Sequence, residues 1–312
     1  MTAITKHILR DGETRITILS AGCAVQRWQV GGKDVVLGYR DANAYISNPG
    51  AMGAICGRVA NRIRNARFEL DGQEYNLPKN DGPNHLHGGF GGLSWRNWEM
   101  TPVDDTVVKL RLISEDCDQG YPGRVVFDVH MRLEGQRLTW DMRAEPDRAT
   151  PINLAQHVYF NLNGAGTILN HKVQIDADRY TPNGPDLLPL GLISSVDGTE
   201  YDFRKPVKLE DALSKGWDGN VVLARNRDVA AEVTAPDGLT LRLRTDRPCV
   251  QIYTSNSLRR RFDEGPGASH VQYGGLCLEA QDMPNAVNEP AFGSIIYGPG
   301  NPYRQVTSIE IV

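Results

Sequence analysis

VVFDVHMRLEGQRLTWDMR, residues 125–143, decides the fold class. Val125, Phe127, Val129, Met131 and Leu133 alternate with Asp128, His130, Arg132 and Glu134. After the turn Glu134-Gly135-Gln136, Leu138, Trp140 and Met142 alternate with Arg137, Thr139, Asp141 and Arg143. Successive side chains of a strand project to opposite faces, so each half offers one apolar face to a core and one polar face away from it. The two halves predict an antiparallel hairpin with one buried face.

The same logic extends outward. Phe68-Glu69-Leu70 and Tyr75-Asn76-Leu77 flank Asp71-Gly72, the dipeptide of a tight hairpin turn. Pro236-Asp237-Gly238 separates Val233 from Leu239, Leu241 and Leu243. Helical periodicity is scarce; Lys208–Lys215 is the one stretch expected to form a short helix. The 32 glycines and 18 prolines fall largely between strand-like runs, as a turn-rich β protein requires. No internal repeat, low-complexity tract or linker interrupts the chain. One all-β domain over residues 1–312 is expected, an antiparallel sandwich or barrel of many strands.

Composition narrows the function. A net charge of −4 without clustered Lys or Arg argues against nucleic acid and anionic membranes as partners. The basic run Arg259-Arg260-Arg261 is followed by Asp263 and Glu264 and reads as a solvated turn. No stretch is apolar enough for a signal peptide or a membrane span. Five scattered cysteines, Cys23, Cys56, Cys117, Cys249 and Cys277, show no CxxC spacing. They predict reduced thiols in a cytoplasmic protein, with neither a disulfide framework nor a thiolate metal site.

Four polar clusters carry candidate chemistry. In Asn153–Leu162, read as extended, Ile152, Leu154, Val158, Phe160 and Leu162 share a face with Gln156 as the one interruption. Asn153, Ala155, His157, Tyr159 and Asn161 share the other, so His157 points into a row of hydrogen-bonding groups. Its alternative is a surface histidine. In Cys277–Gln281, Leu278 and Ala280 oppose Cys277, Glu279 and Gln281. A desolvated Glu279 would have a raised pKa and serve as a base near neutrality; the alternative is an exposed strand glutamate. His85 and His87, at i and i+2, project to one side of an extended segment. With His157 and Glu279 they form a conceivable metal set, while Gly88-Gly89 permits close approach of a ligand instead. Asn61 and Arg62, after Gly57-Arg58, offer donors to oxygen-rich ligands.

In this order the clusters resemble the aldose 1-epimerase (galactose mutarotase) family. The matching stretches are GRVANRI (57–63), FELDGQEYNL (68–77), LHGG (86–89), GYPG (120–123), PINLAQHVYFNL (151–162), DGTEYDFRKP (197–206) and CLEAQDMPNAVN (277–288). The resemblance implies a large antiparallel β supersandwich. It implies Glu279 as the base that takes the C1 hydroxyl proton and His157 as the acid that protonates the ring oxygen. It further implies that His87, Arg62, Asn61, Asp218 and Gln251 bind the sugar, with no metal and no cofactor. The partner is then a small sugar, and the protein a monomer or homodimer. The chain departs from the family pattern at Ala155-Gln156, where Thr-Asn is usual, and at Gly219, where histidine usually follows the aspartate. The spacing from LHGG to Trp95 also differs. These departures bear on which sugar is bound. Three competitors remain at this point: a metal-dependent cupin-like enzyme using His85, His87, His157 and Glu279, a non-catalytic carbohydrate-binding protein, and an epimerase of phosphorylated sugars. The last would need convergent cations, for which only Arg58 and Arg62 are evident.

Overall fold

Val125–Glu134 pairs with Arg137–Pro146 in unbroken antiparallel register, from Val125 opposite Pro146 to Glu134 opposite Arg137. The computed structural model describes residues 3–212, 216–224, 227–259, 265 and 270–312. Along both strands the apolar positions are buried and the intervening positions are partly or fully exposed. This hairpin lies in an antiparallel sheet of nine strands among the described residues. Across that sheet run Glu99–Pro102, Val107–Ser114, Val125–Glu134, Arg137–Pro146, Tyr303–Ile311, Thr240–Thr245, Ala231–Thr234, Lys172–Ile175 and Val207–Lys208. The C-terminal strand Tyr303–Ile311 sits between the two halves and pairs with both neighbours.

A second, five-stranded sheet is ordered Ser194–Ser195, Ala177–Thr181, Asp218–Leu223, Cys249–Tyr253, Cys277–Gln281. One core joins the two sheets: Phe127, Trp140, Met142 and Ile309 of the first pack in one cluster with Val221, Val250, Ile252 and Leu278 of the second. Polar ties reinforce it, as where Gln305 Nε2 donates to the Ala280 carbonyl at 2.9 Å. A four-stranded sheet over Lys6–Asp11, Thr14–Leu19, Ala24–Val30 and Lys33–Asp34 adds Trp28 to the same core, 5.9 Å from the Phe160 ring. The architecture is all-β.

Both Asp-Gly turns close hairpins. Arg67–Leu70 pairs with Gln73–Asn76 around Asp71 (φ 52°) and Gly72 (φ 76°), the two positive φ values a type I′ turn demands. Ala231–Thr234 pairs with Thr240–Thr245. The helix expected over Lys208–Lys215 is a single turn, Leu209–Ala212; residues 213–215 lie outside the described residues. Of the run Arg259-Arg260-Arg261, only Arg259 is described. Among the described residues no helix is long and apolar enough to cross a membrane. All five cysteines are free thiols, and only Cys117 is exposed.

Candidate active site

The five-stranded sheet buries Leu278 in the core, with Ala280 on the same face, so the pleat turns Cys277, Glu279 and Gln281 to its other face. On that face opens a cavity of about 390 Å³ whose walls include Asn61, Arg62, His87, His157, Asp218 and Glu279. Glu279 is 2% exposed and His157 is 5% exposed, which excludes a surface histidine and a solvated strand glutamate. Cys277–Gln281 is an edge strand of its sheet, and the segment carrying His157 runs beside it, Phe160 pairing with Leu276 on one side and with Val36 on the other. His157 N–H donates to the Ala54 carbonyl at 2.9 Å, and the Leu37 amide donates to the Tyr159 carbonyl at 2.9 Å. Little of this segment is regular strand beyond Ala155–Gln156, yet its alternation holds: His157 and Tyr159 both reach the cavity.

His157 Nε2 stands 3.6 Å from Glu279 Oε1, and its Nδ1 lies 3.5 Å from the Cys277 thiol. Its ring packs among His87, Tyr159 and Tyr253. Burial pushes His157 down to about 4. Burial also lifts the Glu279 carboxyl well above the ordinary range; nearby Asp218 adds to the rise and Arg62 opposes it. The site thus disfavours charge on both members of the pair.

Asn61 and His87 are interlocked. The His87 amide donates to the Asn61 carbonyl at 3.1 Å, and the Asn61 amide donates to His87 Nδ1 at 3.1 Å. Both residues are left-handed, Asn61 at φ 62° and His87 at φ 52°, a backbone state that costs non-glycine residues energy and persists when surrounding bonds hold it. Gly88 makes the turn possible, since a Cβ there would lie 1.8 Å from the Gly57 carbonyl oxygen. Because Nδ1 accepts a backbone N–H, neutral His87 carries its proton on Nε2 and is a donor. Burial, His157, Arg62 and His85 hold it neutral by pushing its pKa well below the ordinary value.

Arg62 is anchored by Asp81, Nε to Oδ2 at 2.7 Å, with Asp218 Oδ2 3.8 Å from Nη1. Gln251 Nε2 donates to Asp218 Oδ1 at 2.6 Å. Gln251 is buried and is not among the cavity walls; it supports Asp218 from beneath. Burial raises the Asp218 pKa, with Arg62 and Gln251 opposing. Gly219, on the opposite face, has no room for a side chain: a Cβ would lie 2.2 Å from the Tyr201 hydroxyl. The volume behind Asp218 is therefore filled by Tyr201.

The expectation that His85 and His87 project to one side is overturned. Only His85–Leu86 is extended, and the left-handed His87 breaks the alternation. His85 is fully buried with Nδ1 donating to the Pro78 carbonyl at 2.7 Å. A four-residue metal set including His85 does not exist. His87, His157 and Glu279 do offer ligand atoms within 4.8 Å of one another. Binding a cation through His87 Nε2 would move its proton to Nδ1, against the Asn61 N–H, so this donor set fits a metal poorly. Arg58 also leaves the reckoning, because it is buried and donates to Ser114, Pro122 and Glu115 instead. Sequence reasoning missed Asp81, Asn80 and Tyr39, which line the cavity from a loop and isolated bridge positions without any periodic pattern to flag them.

The model of the aldose 1-epimerase family matches residues 6–310. The chain is 39% identical to galactose mutarotase of Rattus norvegicus, across 98% of this chain and 93% of that protein. It is 33% identical to aldose 1-epimerase of Escherichia coli (strain K12), across 95% of this chain and 89% of that protein. Among solved structures, an aldose epimerase homologue from C. elegans superposes with a TM-score of 0.93 at 25% identity, over 99% of each chain. This chain, an all-β protein with a buried histidine and glutamate facing each other in a polar cavity, belongs to the aldose 1-epimerase family of isomerases.

Proposed function

We propose that the chain interconverts the α and β anomers of a free aldose, with Glu279 as base and His157 as acid. The observation that carries this reading is the 3.6 Å separation of His157 Nε2 and Glu279 Oε1, both buried in the wall of one cavity. Glu279 takes the proton of the C1 hydroxyl, the C1–ring-oxygen bond breaks as C1 becomes an aldehyde, and the ring oxygen receives a proton from His157. Rotation about C1–C2 presents the other face of the aldehyde. The ring oxygen then attacks C1, returning its proton to His157, while Glu279 returns its own to the C1 oxygen. Opening converts a charged pair into a neutral one, the direction that burial of both groups favours.

The remaining groups have binding roles in this reading. His87 Nε2–H donates to a sugar oxygen near the reacting carbon. Arg62, Asn61 and Asp218 pair with ring hydroxyls, and Gln251 fixes Asp218. Uncharged aldoses suit this wall better than sugar phosphates, because Arg62 is already paired with Asp81 and faces Asp218. Residues 1–312 act as one domain, in the cytoplasm, as a monomer or homodimer; the free thiols and the family match across 6–310 support the first two.

The test is polarimetry or exchange NMR over hexoses, pentoses, deoxy sugars and uronic acids. Acceleration of mutarotation for at least one free aldose is expected. No acceleration for any sugar that binds would leave a carbohydrate-binding protein instead.

A further inference from the structure

Beside Glu279, on the same face of its sheet, lies a layer of buried amide side chains. Register sets Glu279 opposite Gln251 and Gln251 opposite Asn220, while Gln281 stands opposite Cys249, one pleat along from Glu279. Residues opposite or diagonal on one sheet face lie within about 5 to 8 Å of each other. Gln281 and Asn220 are at most 1% exposed, and Gln251 is 2% exposed. Among the described residues, no protein group bonds to Gln281 Nε2, Gln281 Oε1, Gln251 Oε1, Asn220 Oδ1 or Glu279 Oε2. Orphans this concentrated are rare, because buried amides are ordinarily satisfied by protein or by ordered water. Both donors and acceptors are present, and a buried water needs two to four such partners. Nearby side chains are small: Cys56 clusters with Ala51, Ala60 and Ala155.

We propose that Gln281, Gln251, Asn220 and Glu279 bind internal water beneath the carboxylate, and that Gln281 is a positioning residue acting through it on Glu279. The hydration follows from the orphaned atoms alone; its consequence for chemistry rests on the reading of Glu279 as the base. The water, held by the Gln281 and Asn220 amides, donates a hydrogen to Glu279 Oε2 and stabilises the carboxylate. The other groups facing Glu279 are Asp218, Arg62, His87, His157, Cys56, Cys277 and Tyr159. None of them is altered when Gln281 is replaced.

A high-resolution crystal structure of the unliganded protein should show ordered water bonded to the Gln281 amide and to Glu279 Oε2. In Gln281→Leu, of similar volume without the amide, that water should be gone. Infrared titration of the Glu279 carboxyl, assigned with Glu279→Gln, should move up by about one pH unit in Gln281→Leu. Gln281→Met is the second variant should the first fail to fold. The inference is overturned if the Gln281 amide bonds only to protein groups with no water reaching Glu279, or if a folded variant titrates as wild type does. Neither readout requires turnover, so failure of the mutarotase reading would show separately, as absence of rate enhancement in wild type.

Discussion

Gln156 ties the segment that carries His157 to the strand that carries Glu279: its Nε2 donates to the Leu278 carbonyl at 2.7 Å, and its Oε1 accepts the Val158 amide at 3.0 Å. Leu278 precedes Glu279 on an edge strand, so its outward carbonyl needs such a partner. The one polar residue on the apolar face of this segment is thus a clamp between the proposed acid and the proposed base.

Gln156→Leu would leave that carbonyl and that amide buried without partners, at about 1–3 kcal/mol each. Denaturant unfolding should show a loss of about 2–6 kcal/mol. The kcat should fall more than KM rises, because the spacing of the reacting groups is disturbed more than the sugar contacts. Wild-type stability in this variant would contradict the clamp.

Glu279→Gln and His157→Asn keep shape and remove proton transfer. Each should lower the mutarotation rate by about 10²–10⁴-fold while circular dichroism stays native. Wild-type rates in both would remove the acid–base assignment.

In the proposed reaction the carboxylate is the working form of Glu279, and its pKa is raised by burial and Asp218. His157 must also be protonated and its pKa is about 4, so the reactive pair carries one proton. The kcat/KM should therefore climb with pH through about 4 and fall along the Glu279 limb, which lies above the ordinary Glu value of 4.5. Arg62 opposes the raised Glu279 pKa, so Arg62→Met should move the limb further up as well as weaken binding. A downward shift would show that another group sets the limb.

Away from the site, buried His171 accepts the Leu162 amide on Nε2 at 3.1 Å and donates from Nδ1 to the Ile168 carbonyl at 3.1 Å. Burial lowers its pKa from 6.5 to about 4, and buried His85 behaves likewise. A folded pKa below the unfolded one adds stability that is full above pH 6.5 and is lost as pH falls toward 4. Each histidine should contribute roughly 3 kcal/mol to that loss, read as falling urea midpoints. His171→Asn should flatten this dependence.

Exhaustive chelation should leave mutarotation unchanged, since the Asn61 amide holds His87 in the tautomer that donates from Nε2. Loss of rate on chelation, restored by a divalent cation, would reopen the metal reading.

The fold class was legible at Val125–Arg143 because strand alternation is a local property of the pleat, and the same rule set His157 and Glu279 opposite their aliphatic neighbours. Alternation failed at His85 and His87, where a left-handed residue ends the extended run after one step. Gly219 read as a missing side chain, and only the packing of Tyr201 shows that its place is taken.

Residue types, their faces and their order along the chain therefore carried the all-β class, the family and the two groups proposed to react. Tertiary structure alone decided that His157 and Glu279 meet at 3.6 Å, that Asp81 holds Arg62, and that Gln251 lies under Asp218 rather than in the wall. Periodicity describes a strand against its own axis. The distance between two strands is set by long-range pairing and by burial of a shared core, which no local pattern encodes.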